Sequence, residues 1–300
     1  MTYKENLLNW LNFRECEHPP VFLNFTMENV KHLEHIFPPV CDRPQRGTGY
    51  DVFGVHWTDT APASHYTHGQ DPIIDDIEEW EDQLRIPNID KLDWDPFKRS
   101  AEAIDRDNDV VIATMFVGPF ERASCLTSFE DCLCNVMTNP EEFSDMISAI
   151  SDYKVEMIDR ICRYGAPDII NFHDDWGTAK STFLSPELWR EVIAPHAKRI
   201  YDAAAERGVF LSQHSCGAIS TLIPDMVEMG LKCWEGQAEC NDMPALEKEF
   251  DGRLRILHRP DVTKFTPEQQ AEFDEIISQA SAKPVHVDQP YAEKPVFLYD

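Results

Sequence analysis

From Asp109 onward, short β-branched runs alternate with long amphipathic stretches, which is the pattern of parallel strands joined by crossover helices. The candidate strands are 21–25, 110–116, 168–173, 209–213, 232–235, 254–258 and 284–287. The last apolar run, 296–298, would supply one more. These strands predict an α/β fold, a (β/α)8 TIM barrel formed by residues 1–300 as one domain, with a doubly wound open sheet as the alternative.

Amphipathic stretches that predict helices lie between these strands, at 140–164, 186–207, 219–230, 244–250 and 267–282. Several of them begin with Ser-Pro, Asn-Pro or Thr-Pro, which places an N-cap residue before a proline in the first turn. Gly165, Gly208 and Gly230 follow three of the stretches, as glycines commonly do at helix C-termini. The helix boundaries are therefore marked at both ends.

The segment 38–107 has a different composition, rich in Pro, Asp, His and Trp, and shows little periodicity. We expect an irregular insertion that covers the active-site end of the barrel. Structureless loops longer than ~15 residues are uncommon unless they have a function, so a lid or a substrate-binding role is favoured over a linker. Tyr50 and Trp57 are its candidate substrate-binding residues.

The chain carries 54 Asp and Glu residues against 27 Lys and Arg, a formal net charge of −27. Such a surface repels nucleic acid and anionic lipid, so neither is expected as a partner. No stretch approaches the ~20 apolar residues of a membrane helix, and Met1 to Trp10 lacks the order of a signal peptide. The nine cysteines follow no secreted disulfide spacing, which favours reduced thiols and a cytosolic location.

The most distinctive chemical motif is His214-Ser215-Cys216-Gly217, directly after the strand 209–213. Residues two apart in an extended segment point to the same side, so an imidazole and a thiolate can converge on one Zn²⁺. Active sites of barrel enzymes lie at this carboxyl end of the strands. A buried histidine beside a buried cysteine is the structural alternative, but that histidine would need partners for its ring nitrogens.

A second motif, Asn171 to Gly177, follows the strand 168–173 and contains the adjacent carboxylates Asp174 and Asp175. Like charges held close together raise one pKa, which suits either residue to catalysis as a general acid. His173 and Trp176 are candidate substrate-binding residues beside them. The alternative is that one carboxylate caps a turn while the other is solvated.

Two further strand ends bring polar groups to the same rim. The strand 232–235 delivers Trp234, Glu235 and Gln237, of which Glu235 is a candidate metal ligand and the other two are candidates for substrate binding. His258 ends the next strand and is a candidate pocket residue. His32 and His35 are predicted on a helix surface, and Cys132 and Cys134, two apart in a helix, do not face each other.

Taken together in order, these segments resemble the corrinoid-dependent methyltransferases of the uroporphyrinogen-decarboxylase-like superfamily: 172–177, Ser185-Pro186-Glu187-Leu188-Trp189, His214-Ser215-Cys216-Gly217 and 223–230. Weaker similarity extends over most of the chain. The resemblance implies a (β/α)8 barrel and methyl transfer to or from a corrinoid, with His214 and Cys216 matching the family's zinc-binding His-x-Cys. The Asp-Asp-Trp-Gly form looks most like O-demethylase methyltransferases, which move a methyl group from a methoxylated aromatic to cob(I)alamin.

Related corrinoid:thiol enzymes use a late cysteine as third zinc ligand, whereas this chain has no cysteine after Cys240. Glu235 is therefore the first candidate for the third ligand, with Cys240, His258 and His286 as alternatives. No Asp-x-His-x-x-Gly corrinoid-binding signature occurs, so the cobalamin is expected on a separate corrinoid protein.

Three other functions stay open on sequence grounds. In the reverse direction, the protein would be a methylcobalamin:thiol methyltransferase. Decarboxylation of a porphyrinogen would use the same barrel, but a polyanionic substrate requires cationic groups that 20–25 lacks. A non-catalytic binding protein on a barrel scaffold is possible because fold does not fix function, and it would gain support if no metal were bound. An oligomer is compatible with each of these.

Overall fold

The computed structural model describes residues 1–17, 19–21, 32–40, 42–43, 47–60, 64–258 and 260–282. Its strands, in chain order, are β1 Leu33–Ile36, β2 Gly49–Tyr50, β3 His56–Asp59, β4 Ser64–Tyr66, β5 Val110–Met115, β6 Ile169–His173, β7 Phe210–His214, β8 Cys233–Glu235 and β9 Arg255–Leu257. Its helices are α1 Tyr3–Leu11, α2 Trp80–Gln83, α3 Asp95–Glu102, α4 Pro119–Thr127, α5 Phe129–Thr138, α6 Pro140–Gly165, α7 Pro186–Val192, α8 Ala194–Glu206, α9 Ile223–Glu228, α10 Met243–Glu249 and α11 Pro267–Ala282.

The main sheet has six parallel strands in the order β1-β5-β6-β7-β8-β9. Strands that are adjacent in this sheet also follow one another along the chain. This is the strand order of a (β/α)8 barrel, and it confirms the predicted fold class. Within the described residues the order never reverses, as it would in a doubly wound sheet. The predicted strand 21–25 lies outside the described residues from residue 22 onward, as do all of 284–287 and 296–298.

The strand β1 was not predicted, because a helix was expected around His32 and His35. That expectation is wrong: Leu33–Ile36 pairs in parallel with β5, with His35 opposite Ile112. The four residues have no alternating pattern of their own. Their extended conformation depends on pairing with β5, an interaction that is remote in sequence.

The two faces of the main sheet differ in polarity. One face packs against the surrounding helices through residues such as Val111, Ile170 and Trp234. The other face lines the barrel interior, which at the amino end of the strands is apolar and contacts Leu7 and Leu11 of α1. Toward the carboxyl end the same face carries buried polar residues: Thr114, Asn171, His173, Ser212 and Glu235. The barrel interior is therefore apolar at the amino end of the strands and polar at their carboxyl end, which we call the mouth.

The predicted helices are confirmed with adjusted ends. The stretch 186–207 forms two helices that meet at Ile193, because Pro195 in the first turn of α8 has no N–H to continue α7. The stretch 219–230 is helical only at Ile223–Glu228. Cys132 and Cys134 lie on α5, as expected. None of the described helices is both long and apolar enough to cross a bilayer.

The segment 38–107 contains regular elements that its composition did not predict. Strands β2, β3 and β4 form a small antiparallel sheet, and short helices follow it. Buried ion pairs join the segment to the barrel: Arg122 of α4 contacts Asp51 at 2.5 Å, and Lys154 of α6 contacts Asp42 at 2.6 Å. The insertion is thus fixed to two of the helices between β5 and β6.

Candidate metal site at the mouth of the barrel

The site is built where β6 and β7 end. His173 and His214 are register partners at the last pair of these strands, and their rings stack with centroids 4.5 Å apart. The loops that follow come together directly: Gly217, at φ +93°, approaches Gly177 so closely that an added Cβ would lie 2.2 Å from its carbonyl carbon. The backbone therefore brings the two sequence motifs side by side.

Three potential metal ligands meet at this point. One ligand atom from each of Asp175, His214 and Cys216 lies within 4.8 Å of the others. His214 Nε2 stands 3.4 Å from Cys216 Sγ and 3.8 Å from Asp175 Oδ1. Ligand atoms around a tetrahedral zinc are roughly 3.3–3.8 Å apart, given bonds of about 2.0–2.3 Å. The residues present thus fit zinc, and they leave a coordination position for a substrate.

Glu235 does not belong to this cluster, contrary to the first-choice prediction for the third ligand. Its Oε1 lies 3.6 Å from His214 Nδ1, the ring nitrogen opposite to the one that faces Cys216. A carboxylate in that position orients a ligating histidine and increases its basicity. The arrangement favours Asp175 as third ligand and Glu235 as the group that fixes the imidazole.

The electrostatics of the cluster favour a cation. Burial alone would lower the pKa of His214, but contacts with Cys216, Glu235 and Asp175 raise it well above its ordinary value. Burial raises the pKa of the Cys216 thiol, while its contact with His214 opposes the rise. A divalent cation among these groups would replace the proton on the imidazole and stabilise the thiolate.

Asp174 was predicted to be catalytic, but its carboxylate has structural hydrogen-bond partners. Its carboxylate accepts hydrogen bonds from the N–H groups of Phe120 and Glu121, in the first turn of α4, and from Trp176 Nε1. Gly118 leaves room for it, because a Cβ there would lie 2.3 Å from Asp174 Cβ. Burial raises the pKa of Asp174 to about 7, whereas the three donors favour the charged form. Asp174 is a positioning residue.

Glu121 is a functional candidate that the sequence reasoning missed. Burial raises the pKa of its carboxyl to about 8, and the nearby carboxylates of Asp175 and Asp174 add to the rise. Arg43 and His214 oppose it. The available sequence signal was its position in the first turn after β5, at the carboxyl end of the strands. A carboxyl group with a raised pKa next to the candidate metal ligands is a candidate proton donor.

An aromatic wall, formed by Phe37 and Phe116, extends along the mouth toward the metal ligands. Phe37 follows β1 and Phe116 follows β5, and their rings are 6.3 Å apart and nearly parallel. Phe116 in turn lies 4.9 Å from the ring of His173. Burial lowers the pKa of His173 well below its ordinary value, so this imidazole is neutral. The mouth thus combines flat apolar surfaces with a polar cluster of candidate metal ligands.

Several other predicted site residues lie elsewhere. Trp234 is fully buried in the core between sheet and helices, and Trp176 is buried against Trp189. His258 contacts Glu247 of α10 at 2.9 Å on the outer side of the sheet. Trp57 donates to Asp51 inside the insertion, and Tyr50 packs on His56. These five residues have structural contacts, and none of them belongs to the metal cluster.

Gln237 and Cys240 do lie beside the cluster. The Gln237 amide donates to Cys216 Sγ at 3.4 Å and accepts from Gly217 N, which holds the loop that carries the thiol. Cys240 contacts Gln237 and Asn241 but lies outside the ligand group found among the described residues. His286, the remaining candidate ligand, falls outside the described residues.

Comparison with known proteins agrees with this architecture. The family model described as uroporphyrinogen decarboxylase (URO-D) matches residues 63–252, which include the loops after β5, β6, β7 and β8. Among solved structures, a methyltransferase from Methanosarcina mazei is similar, with 13% sequence identity and a TM-score of 0.64 over 85% of this chain and 82% of that chain. No curated protein matches. At 13% sequence identity, this structural similarity supports the fold alone.

Proposed function

The chain belongs to the uroporphyrinogen decarboxylase (URO-D) family, and we propose that it is a zinc-dependent methyltransferase. It would move a methyl group from a methoxylated aromatic to the cob(I)alamin of a separate corrinoid protein. The observation that carries this proposal is the convergence of Asp175, His214 and Cys216 beside an aromatic wall at the barrel mouth. The structural similarity to a protein named as a methyltransferase supports it.

The difficulty of the reaction lies in the leaving group, because an aryl ether releases a poorly stabilised phenolate. Zinc, held by Asp175, His214 and Cys216, would supply Lewis acidity at the departing oxygen. Glu121, whose pKa is raised by burial and by the nearby carboxylates of Asp175 and Asp174, would be the group that donates a proton to that oxygen. Glu235 would hold the His214 ring in its ligating orientation.

The geometry disfavours decarboxylation of a porphyrinogen, although the family is described by that activity. The substrate of that reaction carries several carboxylates, whereas the mouth sets the carboxyl groups of Glu121, Asp174, Asp175 and Glu235 against the guanidinium of Arg43, which acts on Glu121 and His173. Binding a polyanion there would bring like charges together in a partly desolvated site. Family membership alone does not fix the reaction, since one barrel supports many chemistries.

Metal analysis of purified protein tests the site. We expect about one zinc per chain in the wild type. Cys216→Ala and Asp175→Asn should both lose most of it, because each removes a ligand. Asp174→Asn is the matched control: it should keep zinc but unfold at lower temperature, with a cost of about 1–3 kcal/mol for weakening a buried acceptor. Full zinc stoichiometry in both Cys216→Ala and Asp175→Asn would refute the assigned ligands.

An activity assay tests the reaction itself. Zinc-loaded protein is mixed with cob(I)alamin and a panel of methoxylated aromatics, and the formation of methylcobalamin is followed by its absorbance. Glu121→Gln should lower the rate by about 10²-fold, since the amide cannot donate the proton. If no ether donates a methyl group while thiols accept one from methylcobalamin, the direction of transfer is the reverse of the proposed one.

A further inference from the structure

An apolar stripe on α5 faces solvent. Phe129, Leu133 and Met137 follow one another at intervals of four residues and therefore share one face of this helix. Met137 is 68% exposed and Phe129 is 45% exposed, which places them among the most exposed large apolar side chains of the described residues. Cys132 and Val136, in contrast, are fully buried. The helix thus has a second apolar face beside the one that attaches it to the barrel.

This stripe forms one side of a groove of about 560 Å³. The other side comes from α7 and the turn before it, where Leu184 and Leu188 line the groove at an interval of four residues. Phe183 also lines it, and its ring lies 5.0 Å from the ring of Phe129. A groove with apolar residues at helical spacing on both sides is the kind of surface to which an amphipathic helix binds.

The groove adjoins the mouth of the barrel. Phe183 follows the loop that carries Asp175, and its backbone N–H donates to the carbonyl of Trp176 at 2.8 Å. Its ring stacks on the ring of Phe120 at 5.8 Å, and the backbone N–H of Phe120 donates to the Asp174 carboxylate. None of the described residues that line the groove is a candidate metal ligand. A partner in the groove would therefore lie beside the candidate metal site without occupying it.

The charges at the groove indicate the chemistry of that partner. Glu187 and Glu191, one turn apart on α7, are exposed and line it, whereas none of the described lining residues is Lys, Arg or His. Arg190 lies 3.8 Å from Glu187 but pairs more closely with Asp225, at 2.8 Å. An apolar groove with carboxylates at its edge is complementary to an apolar helix face flanked by cations. A second copy of this chain would bring the same carboxylates and a net charge of −27, so electrostatic repulsion disfavours self-association there.

We propose that this groove binds an amphipathic helix of a partner protein, which presents apolar residues on one face and lysine or arginine beside them. The helix α5 is ten residues long, ~15 Å, so the contact extends over about three turns of the bound helix. This interaction goes beyond the proposed methyl transfer, because it requires neither zinc nor substrate. A negative result in one of the two sets of experiments therefore leaves the other proposal intact.

Fluorescence anisotropy with the full chain and designed peptides tests the groove. The probe is a fluorescein-labelled peptide about four helical turns long, with leucines on one face and lysines and alanines elsewhere. One control peptide has the same residues in an order that spreads the leucines around the helix, and the other has glutamates in place of the lysines. The probe should bind with a Kd of about 10 µM, and both control peptides should bind at least about tenfold more weakly.

The Met137→Ser variant tests the apolar contact. It should weaken binding of the probe about fivefold, because it removes apolar surface from the contact while the exposed position spares the fold. Val262→Ser is the matched control, since Val262 is a 42% exposed apolar residue between β9 and α11, outside the groove. It should bind the probe like the wild type.

The double variant Glu187→Gln with Glu191→Gln tests the charge complementarity. It should weaken binding about fivefold and reduce the loss of affinity that added salt causes in the wild type. Glu102→Gln with Glu249→Gln, which neutralises two exposed carboxylates on α3 and α10, should leave both quantities unchanged.

Several results would overturn the inference. They are wild-type affinity of Met137→Ser for the probe, wild-type affinity of the Glu187→Gln and Glu191→Gln double variant, equal binding of the probe and either control peptide, and no binding of the probe. Sedimentation velocity addresses the other occupant. A dimer of the wild type that Met137→Ser dissociates would mean that a second copy of the chain, and not a basic helix, covers the groove.

Discussion

His35 illustrates how the fate of one residue depends on its strand. It lies on β1, and both of its ring nitrogens are buried without a hydrogen-bond partner among the described residues. Burial lowers the pKa of His35 to about 4. The sequence predicted an exposed helical histidine, because nothing local distinguishes a residue that will pair with β5. His35 is therefore a neutral residue with buried ring nitrogens and not the surface group that was expected.

This burial predicts a pH-dependent stability. The pKa of His35 in the unfolded chain, near 6.5, lies above its folded value of about 4. The contribution of neutral His35 is thus fully present above about pH 6.5 and is lost as the pH falls toward 4. From pH 7 to pH 4.5 the loss is about 2 kcal/mol.

Urea unfolding at these two pH values measures the effect. The His35→Leu variant should lose about 2 kcal/mol less stability on acidification than the wild type, because it has no group to protonate there. His68→Leu, a change of an exposed histidine, is the control and should leave the pH dependence unchanged. Identical pH dependence of wild type and His35→Leu would contradict the assignment.

At the scale of elements, the candidate metal site depends on how closely two loops approach each other. Cys216 N donates to Asp175 Oδ1 at 2.6 Å, and Ala218 N donates to Thr178 O at 2.7 Å. These bonds tie the loop after β7 to the loop after β6. The sequence placed both loops at the carboxyl end of adjacent strands, but the contact between Gly177 and Gly217 is a property of the assembled sheet.

Gly217→Ala should therefore disrupt the site. The new Cβ would meet the Gly177 carbonyl, whereas at Gly208, also at positive φ, an added Cβ would meet nothing within 4 Å. Gly208→Ala should cost about 1 kcal/mol for its backbone conformation alone. Gly217→Ala should cost clearly more and should also lower zinc content. Both are read out by urea unfolding and metal analysis; equal effects of the two variants would argue against a tight loop contact.

At the scale of the whole molecule, a buried ion network joins the insertion to the barrel. Arg122 and Asp51 are fully buried, and the Arg122 guanidinium also donates to the Asp42 carbonyl and lies over the Phe53 ring. Burial lowers the pKa of Lys154 and raises that of Asp51, while their ion partners oppose both shifts. Such pairs stabilise little in net terms, but removing one partner is costly.

Arg122→Met should cost about 3–5 kcal/mol, because it leaves Asp51 buried without its cation. Arg190→Met removes the exposed Arg190–Asp225 pair and should cost at most about 1 kcal/mol. Urea unfolding gives both values, and limited proteolysis should show faster cleavage between 38 and 107 in Arg122→Met only. Similar costs in both variants would mean that the network does not fix the insertion.

Local sequence determined much of this protein. Periodicity and capping residues predicted the barrel class and most helices, because these features depend only on near neighbours along the chain. For the same reason the sequence placed His214 and Cys216 together at a strand end, where they stay candidate metal ligands. Tertiary structure decided the rest. Whether Asp175 or Glu235 faces His214 Nε2, whether Asp174 is free or caps α4, and whether His35 is exposed all depend on which distant segments pack together. Burial and close approach set these outcomes, and neither is encoded in the spacing of residues within one segment.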